Sequence, residues 1–180
     1  MSTTTAPLTV DEFFKLPDIE EQRVELIDGE VVDMGSGGPV HERVNANLNR
    51  ILDRWLDRHE AGLVYVESAY RLDDQTVMLP DLSVLNGDRF SRRIEDQLRG
   101  APDLAIEVVS SETAERLQTK IRMYFKHGSK GVWSVFPGSR TIQINHANGR
   151  IDTLEQDQLL EDPDALPGFS VPAAQVFEGL

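Results

Sequence analysis

The run APDLAIEVVSSET, residues 101–113, constrains the fold more than any other stretch, because it reads as a buried strand with an acid in its middle. Apolar residues extend from Leu104 to Val109, broken only by Glu107. Pro102 stands before the run and Ser110-Ser111 after it, the punctuation of strand ends. An unpaired carboxylate there is costly, so it has to be protonated, paired with a cation or bound to a metal ion. Any sheet this chain forms must bring a compensating group to that point.

A second acid is placed to meet it. Pro-Asp-Leu occurs twice, as Pro80-Asp81-Leu82 and Pro102-Asp103-Leu104, each time opening an apolar strand. Asp103 and Glu107 share a face of one strand, but at about 3.3 Å per residue they lie roughly 13 Å apart, too far to share an ion. Asp103 therefore reads as a turn residue where the strand starts. Asp81 lies on a different strand. If strands 77–85 and 103–110 are neighbours, Asp81 faces Glu107 across about 4.8 Å. Two carboxylates so close repel unless a proton or divalent cation lies between them. A hard cation such as Mg²⁺ takes one or two carboxylates and keeps several waters. On the residues alone the alternative stays open: one carboxylate pairs with an arginine and the other reaches solvent.

Lys120 bears on that choice. A helical step of about 100° per residue sets it at the edge of the Leu117, Ile121 and Tyr124 face. Lysines at such borders ordinarily extend to water. This helix follows directly from the Glu107 strand, however, so its inner edge can pass over the strand's end and put an ammonium beside the acids. Glu25 adds a third acid if its hairpin packs nearby. His41 opens the long helix and, on pattern alone, reads as a structural histidine.

The rest of the chain supplies a scaffold. LTVDEFFKLP reads as a short helix with a Thr9/Glu12 capping box and Pro17 as a stop. RVELIDGEVVDM is a hairpin turning at Asp28-Gly29. From Val40 to about Glu60 the residues Val44, Leu48, Ile51, Leu52 and Trp55 recur with helical period. LVYVESAYRL and TVMLPDLSVL each read as a strand, with Asp73-Asp74-Gln75 between them. A helix over about 113–127 follows the Glu107 strand. GVWSVF, TIQINHA and RIDTL are strands, the last two joined at Asn148-Gly149. The order predicts an α/β or α+β single domain around one mixed sheet.

Charge argues against the simplest polyanion partner. With 31 acids against 18 Lys and Arg the net charge is −13, which repels nucleic acid at long range. The acid is uneven: residues 151–180 carry seven acids and no Lys or Arg. Basic residues gather at Arg89, Arg92, Arg93 and Arg99, at Lys120 to Lys130, and at Arg50, Arg54 and Arg58, which repeat every fourth residue along the long helix. Such rows are ordinarily solvated faces. No cysteine is present, which excludes disulfides and thiolate chemistry. No export signal or membrane-length apolar run is legible, so a cytoplasmic protein is expected.

Taken in order, VELIDGEVVDM, His41 with its helix, LPDLSVL, PDLAIEVVSSET, KIRMYFKHG and LPGFSVPAAQVF resemble the Uma-two family of candidate bacterial endonucleases. That family is a branch of the PD-(D/E)xK nuclease superfamily. The resemblance spans about Leu8 to Phe177. It implies a restriction-endonuclease-like core, a mixed sheet flanked by helices, with an N-terminal helix and hairpin. Residues 1–180 would form one nuclease-like domain, residues 1–7 being a disordered tail. Asp81 matches the motif aspartate and Glu107 the (D/E) position. Val109 stands where the lysine normally follows, and Lys120 matches a position to which family members relocate it. Glu25 and His41 match upstream acidic and histidine positions.

The metal ligands so implied are Asp81, Glu107 and the main-chain carbonyl of Val108, with Mg²⁺ or Mn²⁺ as cofactor. The implied activity is hydrolysis of DNA phosphodiester bonds by metal-activated water, in a homodimer. Arg89, Arg92 and Arg93 are the candidate phosphate contacts. Two alternatives remain: a catalytically silent nuclease fold used for binding or assembly, and a hydrolase of RNA or a nucleotide. The sequence departs from the family pattern at Phe136-Pro137, where Asp-Pro is usual, and in SKGVW, which lacks the acid often found before the tryptophan.

Overall fold

The computed structural model describes residues 6–19, 22–35, 37–87, 98–110 and 112–180. The expected tail therefore lies largely outside the described residues, as do Arg89, Arg92 and Arg93. Helix α1 (Val10–Phe13) starts on the capping box foreseen at Thr9 and Glu12. Strands β1 (Val24–Ile27) and β2 (Glu30–Asp33) form the foreseen hairpin, with Asp28 and Gly29 both at positive φ in its turn. Helix α2 (Pro39–His59) begins with proline in its first turn, where a missing N–H costs nothing, and stops at Glu60 in the left-handed region. Val44, Leu48, Leu52 and Leu56 form its buried stripe, and His41 sits on the same stripe in the first turn.

The two long apolar runs that follow are not single strands. LVYVESAYRL divides into β3 (Gly62–Val66) and β4 (Tyr70–Arg71), and TVMLPDLSVL into β5 (Val77–Met78) and β6 (Leu82–Asn86). The breaks fall at Glu67, which takes a positive φ of 44°, and at Pro80, which has no N–H for a ladder. The halves then join different sheets. After β7 (Leu98–Arg99) come β8 (Leu104–Val108), helix α3 (Ala114–Lys126), β9 (Gly131–Phe136), β10 (Thr141–Asn145), β11 (Ile151–Leu154), β12 (Leu159–Asp162) and β13 (Leu166–Pro172). A 3₁₀ helix spans Ala173–Phe177.

Among the described residues the expected single mixed sheet is thus a six-stranded sheet, β11-β10-β9-β8-β6-β3, beside a five-stranded sheet, β2-β1-β5-β4-β7, and a β12-β13 ribbon. In the larger sheet β8 and β9 are parallel and the other neighbours antiparallel. That parallel pair needs a crossover, and α3 is the crossover. The main core lies between this sheet and α2, with the β12-β13 ribbon and the 3₁₀ helix over it. Leu104, Ile106 and Val108 point into it from β8, as do Leu82 and Val84 from β6. The alternate residues point the other way, toward α3. On that side Ala105, Leu85 and Val132 pack with Met123 and Tyr124. Small residues at Ser83 and Ala105, paired across the strands, leave room for the α3 side chains.

Candidate active site

Period-two alternation decides where the acids go. Strands β6 and β8 pair Leu82 with Ile106, so one step further along the ladder brings Asp81 opposite Glu107, both on the α3 side. The neighbour relation expected from the sequence is therefore present. Glu107 is buried in the strand, as its apolar context requires.

Lys120 is fully buried, not at a solvent border. Its Nζ donates to Glu107 Oε2 at 2.6 Å and lies 3.4 Å from Glu25 Oε1. One turn further along α3, the Tyr124 hydroxyl donates to Glu107 Oε1 at 2.7 Å. Glu25 comes from the hairpin in the other sheet; its Oε1 accepts the Leu79 N–H at 2.8 Å, and its Oε2 is buried with no hydrogen-bond donor. Asp81 has both oxygens engaged: Oδ1 lies 3.0 Å from His41 Nε2 and 3.1 Å from Arg23, and Oδ2 accepts the Val108 N–H at 2.8 Å. Asn45 reaches His41 Nδ1 at 3.3 Å; with the Asn45 amide donating there, the proton of a neutral His41 sits on Nε2 and points at Asp81.

The electrostatics divide the site in two. Burial works against the charged form of Asp81, but the His41 hydrogen bond and charge, with the Val108 N–H, outweigh it and hold its carboxyl below the usual range. The same hydrogen bond lifts His41. On the other side burial pushes Glu107 up to about 8, because one ammonium serves it and Glu25 together and the nearby charges of Glu25 and Asp81 add repulsion. Glu25 is raised for the same reason, burial first. Burial also opposes the charge on Lys120, yet Glu107, Glu25 and Glu112 outweigh it and raise its pKa. The 2.6 Å contact and the raised Lys120 both place the shared cation on lysine, while burial leaves Glu107 a much weaker acid than usual.

Asp81, Glu107, His41 and Val108 line a small pocket with Arg23, Glu112 and Arg116; its roughly 30 Å³ matches one or two waters. Among the described residues three grooves are larger: two of about 480 Å³ lie elsewhere, and one of about 470 Å³ shares Arg116 with this pocket. Sequence reasoning did not find Arg23, which bridges Asp81 and Glu67, or Glu112, whose Oε2 is buried without a donor. Arg23 had a signal, two residues before Glu25 and so on the same strand face. Tyr124 also had one, four residues from Lys120 on one helix. Glu112 had none.

The donors present suit a hard divalent cation: oxygen ligands, an excess of acid over positive charge, and two buried carboxylate oxygens with no donor. A separate group, His146, Asp162 and Asp164, brings ligand atoms within 4.8 Å of one another. Those atoms are occupied structurally: Asp162 accepts from the Trp133 indole at 2.9 Å and from the Ala165 N–H, and His146 pairs with Asp152. Tyr124→Phe tests how tightly Glu107 is held. Losing a hydrogen bond to a charged or partly charged acceptor is expected to cost about 1.5–3 kcal/mol, read as a lowered urea midpoint at unchanged m.

Among the described residues no helix is long and apolar enough to cross a membrane. No curated protein matches the chain. A crystal structure of a "putative nuclease" from Anabaena variabilis ATCC 29413 is similar with a TM-score of 0.85 at 22% identity, covering 95% of this chain and 98% of that one. At that identity the likeness shows the fold, a restriction-endonuclease-like core. The family model Uma2, described as "Putative restriction endonuclease", matches residues 10–174. With all but the ends of its sequence covered by that match, the chain belongs to the Uma2 family.

Proposed function

We propose that this chain is a divalent-cation-dependent endonuclease that hydrolyses DNA phosphodiester bonds, with Asp81, Glu107 and the Val108 carbonyl as metal ligands and Lys120, Glu25 and His41 completing the site. The observation that supports it best is the meeting of Asp81 and Glu107 in one small pocket, with Lys120 buried behind Glu107 and bridging it to Glu25. A core of this size has no structural need for three buried acids around one lysine, since buried charge is a poor source of stability.

The side chains divide the work. Lys120, its pKa raised, remains an ammonium at neutral pH; it is a donor to developing negative charge on phosphate and not a general base. His41 fixes the orientation of Asp81 through the 3.0 Å contact. Arg23 and Arg116 at the pocket rim are placed to hold phosphate oxygens. Water attacks phosphorus as the bond to the leaving oxygen breaks, and the water's proton passes to a carboxylate such as Glu112, whose Oε2 has no donor. A bound Mg²⁺ or Mn²⁺ would add Lewis acidity toward a phosphoryl oxygen and acidify water.

Residues 1–180 would act as one nuclease-like domain in the cytoplasm, and cutting both strands of a duplex would use a homodimer. One observation favours the silent, assembly reading instead: both Asp81 oxygens are already engaged within the chain. Mn²⁺ calorimetry separates the two, run on the wild type and Asp81→Asn with plasmid nicking on the same samples. The enzyme reading expects binding and nicking in the wild type and neither in the variant. Absence of binding at millimolar Mn²⁺ in the wild type would sink it. Nicking of DNA but not RNA or nucleotides fixes the substrate.

Proton linkage gives an independent check. Glu107 holds its proton more tightly in the folded chain, moving from 4.5 to about 8. That contribution favours folding fully below the lower value and disappears as pH rises through the upper one. Asp81 is opposite in sign: its stabilisation is present above 3.8 and is lost in acid. In EDTA, this contribution to stability is thus expected to fall between about pH 4.5 and pH 8, by at most about 1.4 kcal/mol per pH unit for one proton, and to level off above that. Added Mg²⁺ should raise the melting temperature more at the upper pH, because the ion competes with that proton. A pH-independent Mg²⁺ effect would contradict the assignment of Glu107.

A further inference from the structure

The row Arg50, Arg54 and Arg58 is not a plain solvated face. Together with the Trp55 and His59 rings it forms one wall of a groove of about 480 Å³, whose other wall includes Ser170 of β13 and Gln175 and Glu178 near the chain's end. Arg50 is engaged, with Asn47 at 3.1 Å and the exposed Glu178 at 3.4 Å. Arg54 and Arg58 have no hydrogen-bond or ion-pair partner among the described residues, although Asp53 and Asp57 lie on the neighbouring stripe of the same helix. Like charges four residues apart on a helix repel, so the row lowers the stability of α2. In a chain of net charge −13, two unpaired arginines, Arg54 and Arg58, in one groove offer positive charge to an external anion.

We infer that this groove binds the phosphodiester backbone of DNA, as a site separate from the catalytic pocket. At 1.5 Å per residue the row is about 12 Å long, or about three nucleotides of one strand at 3.4 Å each. The rings do not make it a base reader. Trp55 stacks on His59 at 4.5 Å and meets Phe169 in a T-shaped contact at 5.5 Å, so much of its ring surface is already packed. What remains is charge and hydrogen-bond donors: the arginines, Ser170 and Gln175. His59 Nδ1 lies 2.7 Å from the Trp55 carbonyl and donates to it, which leaves Nε2 without a partner among the described residues. Recognition is therefore of backbone, independent of sequence. The row begins about 13 Å along α2 from His41 and lies on a different side of the helix, so the groove and the catalytic pocket are separate surfaces. This rests on the nuclease reading only for the choice of DNA as the polyanion.

The test is metal-free binding of two labelled duplexes of unrelated sequence, by anisotropy over a range of salt, with wild type, Arg54→Ala/Arg58→Ala and Arg54→Lys/Arg58→Lys. The alanine variant is expected to bind both duplexes on the order of tenfold more weakly at low salt and to lose about 2 from the slope of log affinity against log salt. The lysine variant should keep the slope. In nicking assays the alanine variant should raise KM and leave kcat unchanged. An unchanged slope in the alanine variant overturns the inference, as does displacement of duplex by millimolar inorganic phosphate beyond its ionic-strength effect, which would mark a small-anion site. The two readings fail separately: nicking by the wild type with an unchanged slope in the alanine variant removes the groove alone, while a reduced slope in the alanine variant of a wild type that never nicks removes the nuclease alone.

Discussion

Lys120→Met is expected to cost about 3–5 kcal/mol of folding stability near pH 8 in EDTA, the range for removing one partner of a buried ion pair. The lysine is fully buried between Glu107 and Glu25, and methionine fills similar space without the charge. The loss then comes from two acids left in low dielectric, not from a cavity. Three consequences distinguish that cause. The loss shrinks near pH 5, where Glu107 holds its proton and burial favours the neutral form of Glu25 as well. Adding Glu107→Gln restores a large part of it, so the double-mutant cycle is strongly non-additive. Millimolar Mg²⁺ recovers part by supplying the missing positive charge. Urea unfolding followed by tryptophan fluorescence reads all three. A loss that is equal at both pH values would mean that packing, not charge, is what Lys120 provides.

Glu107→Gln is expected to separate activity from stability. The amide keeps the shape: its oxygen can accept from Lys120 and its NH2 can donate to the Tyr124 hydroxyl, which turns to accept, while Glu25 remains as the lysine's counter-ion at 3.4 Å. The variant also removes a group whose folded-state pKa is near 8, a source of instability at alkaline pH. Its melting temperature should therefore lie within a few degrees of wild type, or above it at high pH. Plasmid nicking should fall by at least about 10²-fold, since a lost metal ligand removes several kcal/mol of transition-state stabilisation. Retained nicking in a folded Glu107→Gln protein would exclude Glu107 from the chemistry.

The candidate site was legible to the extent that its residues were out of place. Glu107 in an apolar strand, Asp81 after a proline and Lys120 at the rim of an apolar helix face each contradicted their surroundings, and each proved to be compensated by another. Two things were not legible. Periodicity gives the face of an element but not its depth, so Lys120 read as a border residue although it is fully buried. An apolar run gives strand character but not sheet membership, so the divisions at Glu67 and Pro80, which send β3 and β6 to one sheet and β4 and β5 to another, were invisible. Those divisions matter, because they lay the Glu25 hairpin beside the larger sheet. Glu112 was missed because a single charged residue beside an element carries no pattern, whereas Arg23, two residues before Glu25, carried one that went unused.

The spacing of these residues along the chain also sets when the pocket can exist during synthesis. The acids enter the growing polypeptide at Glu25, Asp81 and Glu107, but their cation arrives only with α3, and β8 gains its parallel neighbour only when β9 follows. A nascent chain still tethered to the ribosome before that point has carboxylates without their lysine and a central strand with an open edge. The assembled pocket is thus withheld until most of the polypeptide has been translated. A truncated product that stops short of Lys120 would carry the buried acids without the cation that compensates them.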